Sequence, residues 1–415
     1  MTEMPDSVQD QYEAFPYPTR DPRDEKRRLI TGSPSSLDEL NHYLFAGRRD
    51  FTQPFRALVA GGGTGDATIM LAQQLADHGP AGEVVYLDLS TASRAIAEAR
   101  AQERGLTNIT FLSGSLLDLP GMDLGSFDYI DCCGVLHHLP QPEAGLAALT
   151  AVLNPDGGMG LMVYATYGRS GLYPAQDMLR TLGADLPLSE RIGQARRLLD
   201  ALPPTNWLRR NPFLGDHKRS DAELVDLLLH SQDRSYSVEE VGEFIASAGL
   251  YLVSFIEPAR YRPESYLSDP KLTAPLKARS QLERAAFAEK LAGNIKTHVF
   301  YVSRKSGGRA EPDHEGDGTA IPVLRSLDRH ELARSLRKNP ILNVTLDGLP
   351  LHFRLPRLAA AIVERIDGNT GIAQIYESLL EFDPRLERAL FDLQFTQTYE
   401  ALNGVNHLLL RFSSG

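Results

Sequence analysis

The sequence predicts an α/β protein: a doubly wound sheet of seven strands, interrupted by helical insertions and followed by a small C-terminal accessory domain. Three observations carry this. Between residues 56 and 165, short β-prone apolar runs alternate with helical stretches, the pattern of a parallel sheet covered on both faces. The first run enters a turn in which Gly61, Gly62, Gly63 and Gly65 leave only Thr64 with a side chain, and it continues as an amphipathic helix. The rhythm then breaks at residue 168, resumes near 237, and stops at a Gly-, Pro- and charge-rich stretch over 306–322.

Element by element, Ala57–Ala60 reads as a strand and Asp66–Ala76 as a helix. Glu83–Asp88 is a second strand, Thr91–Arg104 an alanine-rich helix and Ile109–Ser113 a third strand. Phe127–Cys133 is a fourth strand, Glu143–Leu153 a helix closed by "NPDGG", and Met159–Ala165 a fifth strand. Right-handed crossovers are expected between them. A helical insertion covers 168–235. Ser237–Ala248 opens with a capping box, Ser237 with Glu240, and Gly249 closes it. "YLVSFIEP" is a sixth strand, 262–295 a second insertion, and Lys296–Lys305 the last strand. Domains are thus expected at 1–55 (an N-terminal cap), 56–305 and 323–415, with 306–322 as linker. In the last piece one helix ends at "DGN", and a second starts after a threonine cap.

Composition bounds the function. The chain has 415 residues, 42% of them hydrophobic, and a formal charge of -11 with both signs interspersed, so no nucleic-acid footprint is expected. No run of about 18 apolar residues suggests a membrane span. The first ten residues are polar and acidic, so no secretory leader is expected and the reading is cytoplasmic. Cys132 and Cys133 read as small buried hydrophobes on opposite faces of a strand, with no metal role.

The glycine turn lets backbone N–H groups approach a ligand closely. It lacks the G-x-G-x-x-G spacing of nicotinamide sites, because residue 66 is Asp, and it is not a phosphate-binding P-loop. Alone it reads equally as a tight turn. Asp88, closing the second strand, adds a carboxylate suited to ribose hydroxyls, or an ordinary strand-end cap.

With "FLSGSLLDLP" and "FDYIDCCGVLHHLPQPEAGLAALTAVLNPDGGMGLMVY", the stretch 56–165 resembles class I S-adenosylmethionine-dependent methyltransferases. The resemblance implies a Rossmann-like sheet whose last strand is antiparallel, with S-adenosylmethionine as cofactor. It implies that Gly61, Gly63, Thr64 and Gly65 pack on the methionine and ribose part, and that Asp88 and Leu89 bind at the ribose. Ser115 and Leu116 stand where the family often has Asp-Ala beside adenine, with Asp118 as the nearest replacement carboxylate. Cys133 and Gly134 lie next to the sulfonium. Val59 replaces a position that is often acidic, and Asp66 either compensates or caps its helix. His137 and His138 are candidate bases, or packing elements of their loop.

The segment "YEAFPYP" is similar to the N-terminus of bacterial methyltransferases that also carry tetratricopeptide or regulatory domains, some of which methylate protein lysines. It implies that Tyr12, Phe15 and Tyr17 fold over the cofactor, or anchor the N-terminus. Tyr164 and the insertion residues His230, Asp233, Arg234 and Tyr236 are substrate or lid candidates, with local hydrogen bonding as the plain alternative. The C-terminal piece looks like winged-helix-like peptide-binding modules of the PqqD group, or serves to dimerise or cover the catalytic domain; a homodimer is left open. The methyl group is expected to go to an N or O atom, first of a protein lysine, with a small-molecule acceptor second and a non-catalytic cofactor-binding scaffold third.

Overall fold

The computed structural model describes residues 12–13, 15–215, 218, 220–230, 232–313 and 320–412; part of the N-terminal cap and residues 314–319 of the expected linker lie outside these. Seven strands form one sheet in the order β3-β2-β1-β4-β5-β7-β6. They are β1 (Phe55–Ala60), β2 (Gly82–Asp88), β3 (Ile109–Ser113), β4 (Phe127–Cys133), β5 (Leu153–Tyr164), β6 (Tyr251–Phe255) and β7 (Thr297–Ser303). The pairs β1–β2, β1–β4, β2–β3 and β4–β5 are parallel, and β6–β7 is antiparallel. The doubly wound sheet with an antiparallel last strand is therefore as the sequence predicts.

The parallel strands are apolar on both faces because helices cover both: Ala57, Leu58, Val59 and Ala60 of β1 are all buried. Val59 is thus a core residue. Between β1 and β2 runs the helix Asp66–His78, between β2 and β3 the helix Thr91–Arg104, and between β4 and β5 the helix Pro142–Ala151. One expectation fails at β5. "NPDGG" is not a loop; the strand begins at Leu153 and runs through it, with a register shift between Phe127 and Tyr129 of β4. The partner strand supplies the ladder, so turn-type residues are held extended.

The chain divides into two compact units. One contains residues 12–35, 51–249 and 293–299 and holds the glycine turn and the first insertion. In it the insertion builds its own apolar cluster from Leu172, Ala175, Leu179, Ala195, Leu224 and Leu228, among others. The second unit contains 36–50, 250–292 and 300–412. This division differs from the contiguous domains expected from sequence. The helix Leu37–Leu44 joins the C-terminal residues because the buried His42 accepts the Leu410 N–H at 2.9 Å, and Tyr43 donates to Asn406 at 3.1 Å. The expected linker also ends early: Ala320–Leu324 is a strand, β8, paired antiparallel with β11 (Leu408–Phe412). Between them lie a hairpin of β9 (Ile341–Leu346) and β10 (Leu349–Arg354) and four helices. The helix Ile372–Leu380 is capped not by threonine but at Gly371, whose N–H is taken by Gln374; Thr370 turns its hydroxyl to Asp367.

Candidate active site

The glycine turn crosses the carboxyl ends of β1 and β2. Gly61, Gly63 and Gly65 have φ of 78°, 50° and 100°, which side chains rarely adopt. A Cβ on Gly61 would stand 2.2 Å from Val135 Cγ2, and one on Gly63 would stand 2.8 Å from the Tyr17 carbonyl oxygen. Asp88, at the end of β2, accepts the Gly63 N–H at 2.7 Å and the Ser90 N–H at 2.8 Å. Burial pushes its carboxyl up, and these backbone donors oppose that.

The N-terminal segment lies over this turn. Thr64 Oγ1 donates to the Pro18 carbonyl at 2.6 Å. Ser90 Oγ donates to the Tyr12 carbonyl at 3.2 Å, and Glu13 accepts the Thr91 and Ala92 N–H groups at 2.5 and 3.1 Å, capping the next helix. Asp66 pairs with Arg20 at 2.5 Å and with buried Arg100 at 2.7 Å. Arg100 also pairs with Glu25 at 2.7 Å, and Arg104 closes the network on Glu25.

A second cluster stands just past β4 and β5. His137 and His138 follow Gly134 in a short 3-10 turn, and both are buried. Tyr164, the last residue of β5, packs its ring tilted by 37° against His137 with the ring centres 3.9 Å apart, and carries the Arg169 guanidinium 3.5 Å from its ring centre. The insertion supplies the rest. His230 stacks on His138 at 3.9 Å with an interplanar angle of 18°. Asp226 accepts the Tyr12 hydroxyl at 3.2 Å and the Tyr164 hydroxyl at 3.4 Å. Arg169 faces Asp233 at 3.6 Å. Burial raises Asp226 to about 6 and lowers His138 to about 4 and His230 to about 2, so both rings are neutral near pH 7.

A family model described as a methyltransferase domain matches residues 58–159. The uncharacterized protein syc1184_c of a Synechococcus strain is 31% identical over 317 residues, 72% of this chain and 73% of that protein. The ubiquinone/menaquinone biosynthesis C-methyltransferase UbiE of Methylobacterium nodulans is 37% identical over 106 residues, 26% of this chain and 40% of that one. The chain belongs to the class I S-adenosylmethionine-dependent methyltransferases. It is similar in fold to PKMT2 from Rickettsia typhi, with a TM-score of 0.66 at 18% identity over 93% of this chain and 77% of that one. PKMT2 in complex with AdoHcy matches with a TM-score of 0.63 at 16% identity over 91% and 75%.

The residues of the methyltransferase fit its cofactor. The glycine turn leaves its backbone open to a ligand, and both Asp88 oxygens keep lone pairs beyond their backbone bonds, so that Asp88 would be free to hold ribose hydroxyls. Leu89 follows Asp88 and is 39% exposed, an apolar face at the sheet edge. Gly134, at the end of β4, has φ of 77°; a Cβ added there would meet only Met162 Cε within 4 Å, at 3.5 Å. When bound, S-adenosylmethionine supplies a methyl group already activated by its sulfonium.

Other sequence candidates fall differently. Ser115 spends its hydroxyl on the Leu117 N–H at 3.2 Å, capping a 3-10 turn in which Leu116 is buried and Asp118 exposed. Asp66 is committed to two arginines, so compensation for Val59 is not the role its contacts describe. Cys132 is buried, whereas Cys133 is half-buried with its thiol 3.8 Å from Asp131. Phe15 and Tyr17 are half-buried on the segment over the turn. The polar group of the insertion splits. His230 and Asp233 join the cluster, while Arg234 packs over Tyr236 at 4.3 Å and faces Glu240 at 3.7 Å. Tyr236 bonds through its main chain to Tyr164, a strand-like pairing.

Sequence reasoning missed Asp226, Arg169 and Gln232. Asp226 sits inside the helical run "DAELVDLLL", where a carboxylate between apolar residues is the one signal it offered. His137 is in place but differs from a base within reach of partners: both its ring nitrogens are buried with no hydrogen-bond partner among the described residues.

Proposed function

We propose that the methyltransferase methylates an amine, a lysine side chain of a protein, held at Asp226. The single observation that carries this is the partly buried Asp226 carboxylate at the carboxyl edge of the sheet, framed by the rings of Tyr12, Tyr164, His138 and His230. A carboxylate among aromatic faces suits an ammonium or an amine N–H. Asp226 orients the nitrogen, the aromatic rings exclude water, and alignment toward the sulfonium supplies most of the rate. The fold likeness to PKMT2 across nearly the whole chain supports this reading.

A small-molecule acceptor is the second reading. It is favoured by the identity to quinone C-methyltransferases, which is confined to about a quarter of this chain. The test is incubation with methyl-tritiated S-adenosylmethionine and extract of the source cells, followed by separation at a size cutoff. Label in protein, recovered as methyl-lysine after acid hydrolysis and lost in Asp226→Ala, is expected. Label confined to the small fraction would sink the lysine reading and favour a metabolite.

A further inference from the structure

Gln232 lies in the turn after the helix Asp221–Leu228. Its main chain touches both stacked histidines, in opposite senses. The Gln232 carbonyl oxygen is 2.9 Å from His138 Nδ1. The Gln232 N–H donates to His230 Nδ1 at 3.1 Å.

Elementary donor and acceptor rules place the proton on each ring. A carbonyl only accepts, so the proton of the neutral His138 ring is on Nδ1 and its Nε2 is bare. A peptide N–H only donates, so His230 Nδ1 is bare and its proton is on Nε2. That Nε2 is 3.5 Å from the Tyr12 oxygen, whose hydroxyl proton goes to Asp226. A chain of donors therefore runs from His230 through Tyr12 to Asp226. His138 Nε2 is left as the unprotonated nitrogen of the cluster.

We propose that the Gln232 peptide unit is a positioning element that locks His138 and His230 in opposite tautomers. His138 Nε2 then accepts an N–H of the methyl acceptor, while His230 holds Tyr12 and, through it, Asp226. The acceptor reacts as the neutral amine, with Asp226 and His138 Nε2 taking its two N–H bonds. Its lone pair bonds to the methyl carbon as the carbon–sulfur bond breaks with its electron pair going to sulfur. The methylated ammonium gives up a proton to solvent after release. The last step rests on the amine reading; the tautomers do not.

The same three side chains have the proximity of metal ligands, since one donor atom from each of His138, Asp226 and His230 lies within 4.8 Å of the others. A metal bound at Nε2 requires the other nitrogen of the ring to be a donor, usually to a carbonyl or carboxylate. His138 meets that requirement on the Gln232 carbonyl. His230 does not, because its Nδ1 receives an N–H. The arrangement is that of an acceptor and a donor rather than of two ligands.

The experiment is ring 15N and 13Cδ2 NMR of the full chain labelled at histidine and loaded with S-adenosylhomocysteine, assigned with the single variants His138→Gln and His230→Gln. His138 is expected as the Nδ1–H tautomer and His230 as the Nε2–H tautomer. Both rings in one tautomer, or His230 protonated at Nδ1, would overturn the proposal. One equivalent of Zn2+ is expected to leave the His230 ring unchanged; conversion of both rings to metal-bound Nδ1–H forms would overturn it as well. Gln232→Pro removes the N–H and keeps the carbonyl, and is expected to release His230 to a tautomer mixture with His138 unchanged. If that variant does not fold, the spectrum of the unaltered chain decides alone. His138→Phe, which keeps the stack, is expected to slow label transfer about 100-fold at unchanged cofactor affinity, within the usual range for a proton-handling side chain. An unchanged rate would overturn the acceptor role. The spectrum reads the tautomers whatever the acceptor is, so a failure of the amine reading leaves them standing.

Discussion

Asp88 and Gly63 are joined by a 2.7 Å hydrogen bond from the Gly63 N–H to Asp88 Oδ2, which ties the end of β2 to the glycine turn. One carboxylate therefore shapes the turn and, if the cofactor lies where the sequence resemblance implies, would also meet its ribose. Asp88→Ala is expected to weaken S-adenosylmethionine binding by about 1–3 kcal/mol, the range for hydrogen bonds to a charged group. Asp88→Asn keeps an acceptor oxygen and should lose less. Titration calorimetry checks both, and equal affinities across the three proteins would remove Asp88 from the cofactor site.

The N-terminal segment is fastened by a buried ion pair. Arg100 is about 1% exposed and faces Glu25 at 2.7 Å. Arg100→Met leaves Glu25 with Arg104 alone and frees one side of Asp66. A loss of about 3–5 kcal/mol is expected, as when one partner of a buried pair is removed. The change in urea midpoint measures it; a shift under about 1 kcal/mol would mean that the pair is dispensable.

Gly61 meets a wall. Its φ of 78° and the 2.2 Å separation between an added Cβ and Val135 Cγ2 make Gly61→Ala costly on two counts. Overpacking of this kind costs about 1–3 kcal/mol. Gly61→Ala with Val135→Ala removes the clash and keeps the backbone strain, so thermal melts are expected to show partial recovery. Full recovery would mean that the positive φ costs nothing.

Acid should destabilise the fold. His42, His138 and His230 are lowered by burial to about 3, 4 and 2. Unfolded, each titrates near about 6.5, so between that value and its folded value the unfolded chain binds more protons. Stability is then fully present above about pH 6.5 and is lost as pH falls toward the folded values, by about 3 kcal/mol for His138 alone. Asp131 and Asp226, raised by burial to about 6, act in the opposite sense: they favour the folded state more as pH falls from about 6 to about 4. The histidines outweigh them. Denaturant midpoints are expected to fall from about pH 6.5 to about 4, and His138→Phe to flatten the curve. A flat curve in the unaltered chain would contradict the burial of these rings.

The sheet was legible in the sequence because local and global preferences agree there. β1, β2, β3 and β4 are apolar runs of strand length bounded by turns; a helix capped by Ser90 separates β2 from β3, and one capped by Ser237 leads into β6. The glycine turn and Asp88 were legible for the same reason: strand, turn and helix are neighbours in the chain, and the chemistry lies in one local motif. Where the partner strand overrides turn-type residues, as in "NPDGG" of β5, the sequence misled.

The cluster was legible only in pieces. His138, Tyr164 and His230 were visible as residues, but nothing in the chain order brings Tyr12 to within 3.2 Å of Asp226, 214 positions away. Nor does it say that Arg234 and Tyr236 face each other while His230, a few residues earlier, stacks on His138. The sequence by itself determined the strand order's raw material, the glycine turn and the class of chemistry, because these depend on short-range periodicity and on glycine's backbone freedom. Only the tertiary structure decided which polar groups of the insertion meet the histidine loop. It also decided which nitrogen of each ring carries the proton, because that depends on hydrogen bonds between segments far apart in the chain.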